Sequence, residues 1–148
     1  MQHFGLRVIS VLAGLLSLPR TILNRGLREL NSMEELLLNM TLTHASEADR
    51  NGLKNQLGEI NLVSFNKYGK GYEIIFQRID FGVFVVTTRR APLDCVGEKT
   101  LSAWSGRNGE NKIFVKVILL DGRLSVIRFS SPRKEIAEKE WVWTLANE

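Results

Sequence analysis

The segment Lys67-Tyr68-Gly69-Lys70-Gly71-Tyr72 gathers two cations, two phenol rings and two glycines into six residues. Glycines let backbone amides approach a phosphate, and aromatic rings stack on nucleobases. The spacing departs from the phosphate-loop pattern, which sets four residues between its first glycine and Gly-Lys. A hairpin turn flanked by aromatics accounts for the same letters. Arg89, Arg90, Lys99, Arg107 and Lys112 lie around the fourth expected strand. They form a basic rim if those connections share one end of a sheet, and solvated strand ends account for the same residues. With Lys116 and Arg123 from the last hairpin, the candidate binding set is Lys67, Tyr68, Lys70, Arg89, Arg90, Arg107, Lys112, Lys116 and Arg123.

Catalytic patterns are thin. The two histidines, His3 and His44, lie at the terminus and in an expected loop, and a general acid–base pair would have to bring them together. The single cysteine, Cys95, has Arg89 and Arg90 near in sequence but no histidine to act as its base. No His and Cys pair shows zinc-ligand spacing, and neither a metal nor a cofactor is expected. Asp80-Phe81-Gly82 matches the magnesium triplet of protein kinases, but the chain is too short and lacks the companion motifs. Asn39-Met40-Thr41 fits a glycosylation triplet at a frequency chance alone supplies.

The elements that must position these residues are anchored by Asp121-Gly122, set between the apolar runs 112–120 and 123–129. Asp-Gly accepts positive φ at both central positions, as a tight type I′ hairpin requires. Pairing Leu120 with Arg123 then places Leu119 with Leu124, Val117 with Val126 and Val115 with Arg128 on one face. Ile118 with Ser125, Lys116 with Ile127 and Phe114 with Phe129 fall on the other. The first face is nearly all aliphatic and is assigned to a core beneath helices; the second is mixed, and both a groove or interface for a partner and an ordinary solvent face with some apolar area fit it. Strands are expected near 60–66, 72–79, 83–90, 101–106, 112–120 and 123–130, and short links favour an antiparallel meander.

Helices are expected over 21–30, from Ser32 to about Met40, and over Ser46–Leu57. Ser32 and Glu35 have capping-box spacing, and Ser46 can cap the next helix. Residues 1–28 carry four arginines and no acid around an apolar stretch from Val8 to Leu18. That stretch is too short to span a bilayer. A core helix, a helix on a partner or membrane surface, and a targeting segment all fit it. The end of the chain begins like a helix, with Ser131 as cap and Pro132 at the first position. Trp141-Val142-Trp143-Thr144-Leu145 alternates like a strand. A helix over 132–148 and a helix followed by a short strand are the two readings.

The chain of 148 residues is expected to form one α+β domain: a helical part (1–58), a curved antiparallel sheet covered on one face (59–131) and a C-terminal helix. Its size allows about two-thirds of the unfolded surface to be buried without staples. One cysteine excludes an intramolecular disulfide and fits a reducing compartment, so the cytoplasm is the expected location. The net charge of +4 is concentrated in residues 59–131, with eleven basic against seven acidic residues. Three functions are weighed. The first is a non-enzymatic module that contacts a macromolecule, most readily a protein, through the mixed face and basic rim. The second is an RNA-binding protein or metal-independent nuclease, with Glu73 or Glu110 as base. The third is a membrane-surface protein anchored by residues 4–18.

Overall fold

Asn31 opens the first helix, α1 (Ser32–His44), with an extended backbone and a side chain that accepts the Glu34 N–H at 2.9 Å. Glu34 returns the bond from the Asn31 N–H at 2.8 Å. The capping box therefore begins one residue before the Ser32 expected from spacing. The computed structural model describes residues 29–80, 83–84 and 96–146. The expectations for residues 1–28, for most of the strand at 83–90, and for Arg89, Arg90 and Cys95 lie outside the described residues. Among these residues no helix is long and apolar enough to cross a membrane.

Helix α1 runs past Met40 to His44, so His44 is its last residue rather than part of a loop. The Thr41 and Thr43 hydroxyls donate to carbonyls four residues back, both at 2.9 Å, and their polar groups stay within the helix. Helix α2 (Glu47–Glu59) starts on the expected Ser46 cap. Its Arg50 donates to the carbonyls of Leu42, Thr43 and Ala45, satisfying the open end of α1.

Six strands form one open antiparallel sheet: β1 (Leu62–Tyr68), β2 (Gly71–Gln77), β5 (Glu98–Asn108), β6 (Asn111–Leu120), β7 (Arg123–Phe129) and β8 (Val142–Leu145). Their order is β1-β2-β7-β6-β5-β8, and the two-residue strands β3 (Ile79–Asp80) and β4 (Val83–Phe84) pair apart. The fold is α+β. The short helix α3 (Arg133–Ala137) stops before Trp141, and Val142–Leu145 pairs with β5. The end of the chain is thus helix then strand, not one helix over 132–148. At β8 the Trp143 indole lies on Gly106, so close that a Cβ there would come within 2.8 Å of it.

The Asp121-Gly122 turn forms as its letters require, with φ of 48° and 76°, and Leu120 pairs with Arg123. Beyond Leu119–Leu124 the register shifts, and Ile118 pairs with Val126 rather than Ser125. Ser125 is an extra residue, a β-bulge, which reverses the alternation of everything after it. Ile127 and Phe129 therefore face the core with Val115 and Val117, while Val126 and Arg128 face outward with Ile118 and Lys116. This corrects the expected pairing of Val117 with Val126 and of Val115 with Arg128. The bulge puts a phenyl ring in the core and a guanidinium outside it, which burial energetics favour.

Leu37, Leu38, Leu53 and Leu57 of the helices close over Val115, Val117, Leu119, Leu124 and Ile127 in one core. Gln56 reaches from α2 to the turn: its amide donates to the Gly122 carbonyl at 3.0 Å and accepts the Leu124 N–H at 2.8 Å. Both backbone groups lie in a buried setting next to the bulge. Gln56→Ala strands the pair and is expected to cost about 2–4 kcal/mol, from ~1–3 kcal/mol for each orphaned group with partial rescue by water. Urea unfolding checks this, and Gln56→Glu, which loses the donor and buries an unpaired charge against the Gly122 carbonyl, should cost at least as much.

Candidate functional site

Strict alternation along β6 sends Lys112, Phe114 and Lys116 to the outer face, while Ile113, Val115 and Val117 enter the core. The bulge adds Arg128 to that face beside Lys116, and Glu73 of β2 lies opposite Arg128 on its other side. Arg128 donates to Glu73 and to Glu98, each at 3.2 Å, and its guanidinium lies 4.6 Å from the centre of the Tyr68 ring. Partial burial works against its charge, but the bond to Glu73 and the nearby Tyr68 and carboxylate groups outweigh this and hold its pKa above the ordinary value.

Among the described residues Lys70, Arg107, Lys112 and Lys116 enter no ion pair. Lys112 Nζ stands 4.7 Å from the centre of the Phe114 ring. Phe114 and Tyr68 are 47% and 49% exposed, high values for aromatic rings on a folded sheet. Phe114 separates two grooves. One, of about 400 Å³, lies between the β1–β2 turn, Lys116 and Arg128; the other, of about 440 Å³, lies toward Arg107, Lys112 and Thr144.

Tyr68, Lys70, Arg107, Lys112 and Lys116, all expected as binding residues, thus border one continuous surface. Lys67 alternates with Tyr68 and pairs with the core residue Tyr72, so it belongs to the opposite side of the sheet. Arg123 sits at the far hairpin beside Leu120. Arg128, placed on the core face by simple alternation, is part of the surface. Of the two carboxylates considered as a nuclease base, Glu73 is held by Arg128 and Glu110 lies in the exposed β5–β6 turn. His44 packs edge-on against Trp104, ring centres 6.0 Å apart, away from the face. Among the described residues no three His, Cys, Asp or Glu side chains converge.

A second titratable cluster is internal. Glu34 has no exposed surface and accepts from Arg133 Nε at 2.7 Å and Nη2 at 3.0 Å, from the Tyr72 hydroxyl at 2.7 Å and from the Asn31 amide. Arg133 also stacks 3.9 Å from Phe65, and Tyr72 lies parallel to Phe129 at 4.4 Å. Every acceptor direction of the carboxylate is used and nothing opens onto it, so this arrangement holds elements together rather than handling a substrate. No protein family model, curated protein or solved structure matches the chain.

Burial holds the Tyr72 hydroxyl above its ordinary pKa of about 10; the Glu34 charge and hydrogen bond add to this, and Arg133 opposes it. Above pH ~10 the unfolded chain sheds that proton while the folded chain retains it. The contribution is therefore complete below pH ~10 and is lost above it, by up to about 1.4 kcal/mol per pH unit. Between pH ~9 and ~11, urea unfolding should show a larger loss of stability in the parent than in Tyr72→Phe.

Proposed function

We propose that the protein is a non-enzymatic binding module whose outer sheet face holds a polyanionic macromolecular partner. One observation carries this. Arg107 lies directly opposite Lys112, and Lys116 lies directly opposite Arg128, on the same face. Like charges opposed across strands destabilise a sheet, on a scale of about 0.2–1 kcal/mol per pair. Arg128 is partly relieved by Glu73 and Glu98. The other three cations enter no ion pair among the described residues, and Lys112 has only the Phe114 ring beside it. A pattern that works against the fold and recurs on one surface fits a site kept for binding.

The same cations raise the local concentration of an anionic partner and speed its capture, an effect that salt screens. The nuclease alternative needs a free carboxylate near a phosphate site, and the engagement of Glu73 with Arg128 speaks against it. Retention on immobilised heparin tests the proposal with a generic polyanion. Lys112→Glu with Lys116→Glu should elute at clearly lower salt than Lys54→Glu with Lys134→Glu, which makes the same change in net charge on helical surfaces. The face variant should also gain about 0.5–1 kcal/mol of stability in urea, by removing opposed like charges. Equal elution of the two double variants would refute the assignment of binding to this face.

A further inference from the structure

We infer that the partner is single-stranded nucleic acid, laid across β6 with bases stacked on Phe114 and Tyr68 and phosphates on Lys112, Lys116 and Lys70. This deepens the anion-binding role above and rests on it. The order along β6 is cation, ring, cation at every second residue, so Lys112 and Lys116 stand about 14 Å apart with Phe114 between them. An acidic polypeptide needs only the cations. Two half-exposed rings set among them suit a ligand that alternates negative charge with flat π-faces, as an unpaired nucleic-acid strand does. The width of the sheet argues against a duplex. Six strands at about 4.8 Å spacing form a platform roughly 24 Å across, about twice the ~12 Å major groove of duplex DNA. A duplex also hides the base faces that the rings would stack against.

The surface has polar groups at the right level to meet base edges. The Ser130 hydroxyl oxygen accepts the Phe114 N–H at 2.8 Å, which leaves its own proton free to donate into the groove of about 400 Å³. Thr100 lines the same groove beside Lys116 and Ile118. The aromatic platform is sequence-tolerant, because every base has a π-face. Low selectivity among bases is therefore expected, with a footprint of a few nucleotides.

Fluorescence anisotropy with labelled oligo(dT) and oligo(U) of about twelve nucleotides tests the inference on the full chain. Three to four phosphate contacts give a log–log salt slope of about −2 to −3 for a single strand. Phe114→Ala should weaken binding roughly tenfold without changing that slope. Lys116→Gln should make the slope shallower by about 0.7. Phe114 is half exposed, so the variant should fold, and an unchanged thermal unfolding profile verifies it. Duplex DNA and polyglutamate should compete poorly. If Phe114→Ala binds within twofold of the parent, or if duplex or polyglutamate competes as well as the single strand, the face recognises charge alone. The nucleic-acid assignment then falls while the heparin result stands. If heparin retention is also indifferent to Lys112 and Lys116, both assignments fall.

Discussion

Glu34 is a carboxylate with no contact with solvent, and the two ends of the described chain meet on it. Its backbone belongs to the first turn of α1 and its oxygens receive Arg133 from α3, Tyr72 from β2 and the Asn31 amide. Removing a carboxylate from water is costly, and its attraction for a buried cation offsets this only when geometry is close and the lone pairs are filled. Both conditions hold here. The consequence is positional. Arg133 is fixed by Glu34 and by the Phe65 ring, which sets where α3 begins and hence where β8 joins the sheet. Tyr72 is fixed by Glu34 and by Phe129, which brings β2 onto β7 and joins the β1–β2 hairpin to the other strands. The outer face exists as one surface because that junction closes.

The bulge at Ser125 then decides which side chains populate that surface. Gln56 clamps two backbone groups just before it, at Gly122 and Leu124, so the start of the strand is held by a helix rather than left to slip. A slip of one residue would return Arg128 to the core side and Phe129 to solvent. The arrangement of cations and rings outside therefore depends on an amide from the layer beneath. Arg128, once outside, bridges Glu73 and Glu98 from separate strands and ties together the floor of the groove beside Lys116.

Features that depend on local chemistry were legible in the sequence. Asp121-Gly122 demanded its turn because few other pairs accept positive φ twice. Phe114 and Lys116 fall on the expected outer face because β6 alternates from Lys112 to Val117, and Lys112, expected on the rim, shares that face. Tyr68 and Lys70 lie at the turn that their glycines imply. The bulge carries no local letter, since Ser125 is unremarkable in a strand; its trace was the awkward placement of Arg128 opposite Val115 on an otherwise aliphatic face. The capping box lies one residue before the expected one because Asn31 and Ser32 are both good caps, each three positions before a glutamate. What selects Asn31 is distant: only that register delivers Glu34 to Arg133 and Tyr72. The alternation of Trp141-Val142-Trp143-Thr144-Leu145 was visible, but its partner, the Gly106 stretch of β5, lies far away in sequence.

The opposed cations link stability and binding through one electrostatic term. At a surface dielectric the repulsion within each pair is of the order of 1 kcal/mol or less, small enough for the fold to carry and large enough to matter when an anion neutralises it. A polyanion held there as proposed would gain its own attraction to the cations and also relieve the repulsion within the two Arg–Lys pairs, so that its binding would stabilise the folded chain beyond what the contacts alone supply. Salt acts on the two states in opposite directions. It screens Arg107 from Lys112 and so supports the free protein, while it weakens the hold on an anion. A surface built this way is under least strain when occupied at low ionic strength or when empty at high ionic strength.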